Sequence, residues 1–97
     1  MKKEELLYID QTKRYALLLG YIIPLTKSEL DILTAIRNNS GYTRVEDIMQ
    51  IVFTAKDITT KNVAVHVCRI NYKARKISGR DIIESKRFKG YKIVDKI

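Results

Sequence analysis

The sequence is poor in the residues that build catalytic and metal sites, since it has one cysteine and one histidine among 97 residues. A single cysteine excludes an internal disulfide, which fits the reducing cytoplasm where we expect the protein to reside. One histidine without paired cysteines excludes a zinc-type ligand cluster. A phosphate-binding glycine loop is also absent. We therefore predict that the protein is not an enzyme and needs neither a metal nor another cofactor.

Long apolar runs are missing as well. The longest, residues 16–19 and 21–25, are far shorter than the roughly 20 residues of a membrane span. Glu4 and Glu5 follow the basic start of the chain, where a signal peptide needs an apolar segment. The 45% content of hydrophobic residues nevertheless suffices for a folded core. We expect one soluble domain over residues 1–97, with no membrane partner.

Acidic residues are scarce in the last part of the chain. Between Thr59 and Ile97 there are 11 Lys or Arg against 3 Asp or Glu, which equals the whole net charge of +8. The same part contains a helix-period segment and a strand pair around a basic turn. A helix and a hairpin that carry surplus positive charge are typical of proteins that bind a polyanion. The charge pattern predicts a nucleic-acid-binding module, with double-stranded DNA as its partner.

Hydrophobic spacing and turn residues predict an α+β fold. Short strands are expected over residues 6–24, and Pro24 ends this region. Helices are predicted over residues 26–38, 44–53 and 60–77, and a hairpin over residues 82–94. The first two helices begin with the pattern of a capping box, Thr26 to Glu29 and Thr43 to Glu46.

The third helix has the clearest pattern of the chain. Its buried stripe recurs at intervals of three or four residues: Val63, Val67, Ile70, Ala74 and Ile77. Three helices followed by a hairpin make a winged helix-turn-helix, in which the hairpin is the wing. Here an N-terminal antiparallel β-sheet precedes the three helices.

Four short motifs follow one another along the chain: residues 25–33 (LTKSELDIL), 41–48 (GYTRVEDI), 63–70 (VAVHVCRI) and 87–91 (RFKGY). In order and spacing they resemble the effector domain of OmpR/PhoB-type response regulators of bacterial two-component systems, with its LTxxExxLL, VDVHIxRL and RGxGY patterns. The resemblance covers roughly residues 6–94. It implies a DNA-binding transcription regulator that pairs head to tail on direct-repeat DNA.

The chain departs from the family pattern at several positions. Ala64 replaces an aspartate, Asn71 an arginine, Phe88 the first glycine of the wing, and Phe53 a tryptophan. These changes bear on the preferred DNA sequence and not on the fold. The receiver domain that precedes such modules is absent from the sequence, which fits a stand-alone regulator and a segment of a longer one equally well.

The face of the third helix opposite its buried stripe is predicted to read bases in the major groove. Arg69 is the first candidate, because a guanidinium binds guanine O6 and N7 together, and it matches a base-reading arginine of the family. Val65 and Cys68 suit contact with a thymine methyl group, with packing at the core margin as the alternative. Cys68 is also open to a redox-sensing role. Tyr72 completes the predicted base-reading set.

Phosphate contacts are expected around the same helix. Thr60 and Lys61 lie at the positive end of its dipole, although helix capping explains the threonine equally well. Lys73 is expected to add general attraction. By resemblance, four residues take positions that contact the DNA backbone in the family: Lys61, His66, Ser85 and Tyr91. A half-buried structural imidazole is the alternative for the histidine.

The predicted wing turn carries Arg87, which we expect to reach the minor groove, between Lys86 and Lys89. A basic turn that is merely solvated is the alternative. The resemblance further implies that the loop over residues 54–58 offers a contact to RNA polymerase.

The sequence leaves two other functions open. A protein-interaction module would use the apolar strands over residues 16–23 as an exposed sheet edge. Binding of RNA or single strands would use Tyr72, Phe88 and Tyr91 as stacking platforms. The clustering of the positive charge favours duplex DNA over both.

Overall fold

The computed structural model describes residues 7–39, 41–52 and 60–94, with the backbone alone at residues 51, 52, 60 and 61. Phe53 and the predicted 54–58 loop lie outside the described residues. The elements follow the predicted order of sheet, three helices and hairpin: β1 (Leu7–Asp10), β2 (Tyr15–Leu18), β3 (Tyr21–Ile22), α1 (Lys27–Arg37), α2 (Val45–Val52), α3 (Thr60–Ser78), β4 (Ile83–Lys86) and β5 (Gly90–Ile93).

The N-terminal sheet is an antiparallel meander in the order β1-β2-β3. Leu18 pairs with Leu7 on one side and with Tyr21 on the other. Alternation along β2 buries Ala16 and Leu18 against the helices. Leu19 and Gly20 connect β2 to β3, both with positive φ, as a tight hairpin turn requires.

Helix α1 begins with the capping box that the sequence predicts. The Thr26 hydroxyl accepts a hydrogen bond from the Glu29 amide at 3.2 Å, and the Thr26 amide donates to Glu29 Oε1 at 2.9 Å. Two amide groups that lack partners within the helix are thereby satisfied. The apolar stripe of this helix is fully buried at Leu30, Leu33 and Ile36.

The second predicted capping box is wrong, because Thr43 makes different contacts. Helix α2 begins at Val45. The Thr43 amide donates to the Tyr91 carbonyl at 2.7 Å, and the Tyr91 amide donates to the Thr43 carbonyl at 2.9 Å. The Thr43 hydroxyl accepts from Asn39 Nδ2 at 3.0 Å. Thr43 therefore forms a β-bridge to the hairpin.

Helix α3 lies across the core with the predicted stripe facing inward. Val63, Val67, Ile70 and Ala74 are buried, whereas Ile77 is partly buried against the same core. They pack with apolar side chains from β2, α1, α2 and β4, such as Leu18, Ile32, Ile48 and Ile83. Although α3 spans 19 residues, within the described ranges no helix has both the length and the apolar character of a membrane-crossing segment.

The predicted wing is the hairpin of β4 and β5. Its register pairs Ile83 with Ile93 and Lys86 with Gly90. The turn over residues 87–89 is closed by a hydrogen bond from the Lys89 amide to the Lys86 carbonyl at 2.9 Å. The bridge to Thr43 joins this hairpin to the segment between α1 and α2.

Candidate nucleic-acid interface

The outward face of α3 displays the predicted base-reading side chains together. Val65, Cys68, Arg69 and Tyr72 are exposed, Val65 to 41% and Tyr72 to 57%. This exposure argues against the alternative in which Val65 and Cys68 pack at the core margin. Helical spacing accounts for the result, because these positions lie opposite the buried stripe. The face is mainly apolar, with one guanidinium in its middle.

The cations of α3 whose side chains the structure describes fall into two groups. Lys73 Nζ lies 2.6 Å from Glu29 Oε1, and Arg75 Nε lies 2.6 Å from Asp81 Oδ1. Lys76 lies over the Tyr72 ring, 4.7 Å from its centroid. Within the described part of the chain, no carboxylate lies within ion-pairing distance of Arg69 or Lys76. Among the described side chains of the outward face, these two carry positive charge without a carboxylate partner.

The Lys73 ammonium group is held in place by its ion pair with the buried Glu29. The Glu29 carboxylate is 1% exposed and belongs to the capping box of α1, so it connects the start of α1 to the middle of α3. Burial alone raises the pKa of Glu29, but hydrogen bonds from Lys73 and the Thr26 amide, with the nearby charges of Lys73 and His66, lower it overall. The carboxylate therefore stays ionised and holds Lys73.

His66 is half-buried on α3. It lies near enough to Glu29 to help lower that carboxylate's pKa. This position fits the alternative of a half-buried structural imidazole. A contact of His66 with DNA phosphate stays a prediction. Thr60 lies at the predicted start of α3.

Asn71 was not singled out for a role by sequence reasoning. It is buried, its Oδ1 accepts from the amides of Ile82 and Ile83, and its Nδ2 donates to the Ile83 carbonyl, each at 3.0 Å. The side chain thereby fixes the start of β4 against α3. The sequence feature that marks this role is a short amide side chain directly after the buried Ile70, at a position where the family pattern has an arginine.

The wing presents three exposed cations, Lys86, Arg87 and Lys89, as the sequence predicts. Phe88 lies between them at the tip and is 94% exposed. The Arg87 guanidinium lies 5.7 Å from the centre of its ring. Ser85 is exposed on β4. The wing is thus a basic projection with an aromatic tip.

Tyr91 lies at the base of the wing, where its backbone is hydrogen-bonded to Thr43. It is half-buried on β5, and burial raises the pKa of its hydroxyl, with a further contribution from the nearby Cys68 thiol. Asn71 bonds α3 to the start of β4, so the wing is attached to the helix that carries the outward face. We call the exposed residues of α3 and of the turn over residues 86–89, taken together, the basic face.

No family model matches the chain, and no curated protein matches its sequence. Solved structures do match. The DNA-binding domain of the response regulator AdeR, in complex with an intercistronic region, superposes with a TM-score of 0.77 at 18% identity, covering 98% of this chain and 100% of that chain. The Klebsiella pneumoniae RstA DNA-binding domain, in complex with the RstA box, has a TM-score of 0.74 at 21% identity, covering 92% and 91%. The protein has the fold of response-regulator DNA-binding domains.

A third match belongs to a family of streptococcal redox sensors that evolved from two-component response regulators. It has a TM-score of 0.82 at 22% identity, covering 99% of this chain and 44% of that chain. The chain thus spans less than half the length of this response-regulator relative. The resemblance to OmpR/PhoB-type effector domains is confirmed at the level of the winged-helix fold.

Proposed function

We propose that the protein is a bacterial transcription regulator that binds double-stranded DNA sequence-specifically. In this proposal α3 enters the major groove and the wing turn lies at the minor groove. The observation that carries the proposal is the basic face, which combines the described cations of α3 that lack carboxylate partners with the exposed cations of the wing. The fold adds support, because the AdeR and RstA domains with the same architecture are solved in complex with DNA.

The residues of the basic face divide into three proposed roles. Arg69 reads guanine, and the exposed Val65 and Cys68 contact thymine methyl groups beside it, with Tyr72 at the edge of the same face. Arg87 enters the minor groove. The remaining residues position the duplex through its phosphates: Thr60, Lys61, His66, Lys73, Ser85, Tyr91, Lys86 and Lys89.

Within that phosphate set, Lys73 is the least available residue because of its contact with Glu29. We expect it to contribute less than Lys86 or Lys89, which are exposed on the wing. Head-to-tail pairing on direct repeats, and a contact of residues 54–58 with RNA polymerase, are parts of the proposal that rest on the family resemblance.

Selection from a randomised duplex pool tests the proposal. We expect a recurrent motif with two spaced half-sites that is still bound at moderate salt. Recovery of no motif, with binding that disappears as salt rises, would contradict sequence-specific recognition. It would favour the protein-interaction alternative, for which the exposed apolar side chains of Tyr21 and Ile22 on β3 are the candidate surface.

Arg69→Ala and Arg75→Ala form a matched pair on the selected sequence. Both arginines are exposed on α3, but Arg75 has Asp81 as its partner. We expect Arg69→Ala to remove about 1–3 kcal/mol of discrimination at one base pair, because the bidentate contact is lost. Arg75→Ala should leave the preference unchanged. Equal weakening of every sequence by Arg69→Ala would refute its base-reading role and leave it as a phosphate contact.

A further inference from the structure

Phe88 combines two unfavourable features that the fold does not require. Its side chain is 94% exposed, the most exposed large apolar side chain among the described residues. Its φ is 69°, a left-handed conformation that bulky side chains rarely adopt. Apolar surface and an uncommon backbone conformation thus coincide at one residue.

The turn itself accounts for the backbone conformation but not for the aromatic ring. The Lys89 amide bonds the Lys86 carbonyl, and the positive φ falls at the third residue of this four-residue turn. Type II turns have this arrangement and prefer glycine or asparagine there. A glycine would form the same turn with less strain and with no exposed ring. The phenylalanine therefore needs an explanation outside folding, and strained residues of this kind cluster at ligand sites.

The base of the wing holds the tip in a defined position. Thr43 and Tyr91 exchange two backbone hydrogen bonds, at 2.7 and 2.9 Å. Gly90 packs so closely here that an added Cβ would lie 2.0 Å from the Thr43 carbonyl oxygen. The ring is thus displayed on a hairpin that is attached to the helical body.

The surroundings of the ring indicate its ligand. Lys86, Arg87 and Lys89 are its exposed neighbours in sequence, and the Arg87 guanidinium lies 5.7 Å from the centre of the ring. These cations bring the ring to a polyanion, in which an apolar side chain finds a favourable environment only among the bases. The minor groove offers both features, since it attracts arginine and admits apolar side chains between base steps.

We propose that Phe88 is a wedge that inserts between adjacent base pairs in the minor groove and kinks the bound duplex. The inference rests on the proposed DNA binding and adds a mechanism of sequence selection to it. Pyrimidine–purine steps such as TA unstack most easily, so the wing selects a deformable step without hydrogen bonds to its bases. A wedge inserted from the minor groove bends the duplex toward the major groove.

The test uses 30-base-pair duplexes that carry the selected site, with donor and acceptor dyes at their ends. One duplex has a TA step under the wing and the other an AA step. We expect the wild-type chain to shorten the end-to-end distance of the TA duplex and to bind it more tightly than the AA duplex. Stacking of an aromatic ring on a base contributes about 1–3 kcal/mol. Removal of the Phe88 ring should therefore weaken binding to the TA duplex by about 5- to 150-fold.

Three variants distinguish the effect of the Phe88 ring from the effect of the positive charge of the wing. Phe88→Gly suits the turn and should bind without bending or step preference. Phe88→Leu keeps an apolar wedge and should retain part of both effects. Arg87→Ala should weaken binding to both duplexes and reduce its salt dependence, while some bending persists.

The outcomes distinguish the wedge from the underlying function. Tight, sequence-specific binding to a straight duplex, unchanged in Phe88→Gly, overturns the wedge and leaves DNA recognition intact. Absence of duplex binding by the wild-type chain overturns both. A stronger Phe88-dependent affinity for the single strand than for the duplex also overturns the wedge and makes the ring a stacking platform for unpaired bases.

Discussion

Asn71→Ala should destabilise the protein by about 2–4 kcal/mol, because one side chain satisfies three backbone groups. The substitution removes the acceptor of the Ile82 and Ile83 amides and the donor to the Ile83 carbonyl. A net hydrogen bond contributes about 0.5–1.5 kcal/mol, and a buried group left without a partner costs about 1–3 kcal/mol. Water that enters the vacated space offsets part of the loss, which places the sum in the stated range.

This loss is a large fraction of the free energy of unfolding, which is about 5–15 kcal/mol for a typical domain. Urea unfolding followed by circular dichroism measures the difference from the wild-type chain. Asn38→Ala is the matched control, since Asn38 is exposed at the end of α1 with a backbone conformation that alanine adopts readily. We expect the control to change stability by less than about 0.5 kcal/mol.

Amide hydrogen exchange shows where in the structure Asn71→Ala acts. Because Asn71 fixes the start of β4 against α3, the amides of Ile82 and Ile83 should exchange with solvent faster in Asn71→Ala than in the control variant. Stability within about 0.5 kcal/mol of wild type, with unchanged exchange at these amides, would refute the reasoning that this side chain carries the attachment of the wing.

Four further predictions concern other contacts. Stability should fall as pH drops through the lowered pKa of Glu29, below about 4.5, because the unfolded chain then binds a proton that the folded state excludes; acid titration of the unfolding midpoint checks this. Lys73→Met should cost about 1–3 kcal/mol at pH 7 and weaken that pH dependence, whereas an unchanged acid profile would argue against the pair. Phe88→Gly should raise stability by about 1 kcal/mol in thermal unfolding, since it relieves a positive φ, and a loss of stability would show that the ring supports the fold. Gly90→Ala should cost at least about 2 kcal/mol through collision with the Thr43 carbonyl, and urea unfolding at wild-type stability would contradict that close approach.

Local patterns predicted the helices well. The capping box at Thr26 and the stripe from Val63 to Ala74 depend on residues within a few positions of one another, so their signals survive in the sequence. Thr43 shows where this reasoning fails. The same pattern occurs there, but the backbone groups of Thr43 are hydrogen-bonded to Tyr91 on β5. A pattern within a few residues cannot predict a partner so distant in sequence.

The candidate site shows the same division. Periodicity predicted the exposure of Val65, Cys68, Arg69 and Tyr72, because a helix with one buried stripe has a fixed opposite face. It did not predict that Lys73 would be held by Glu29, on another helix. Charge counting therefore overstated the positive charge that α3 has free of carboxylate partners.

The bridge between Thr43 and Tyr91 also has a consequence for the order in which the molecule opens. A two-stranded hairpin alone is marginally stable in water. Since β5 is hydrogen-bonded to a segment between α1 and α2, the wing shares its stability with the helical body. Amides of β5 should therefore exchange by opening of the whole domain. For the proposed DNA binding, a wing already held in place in the unbound protein would lose less conformational entropy on association.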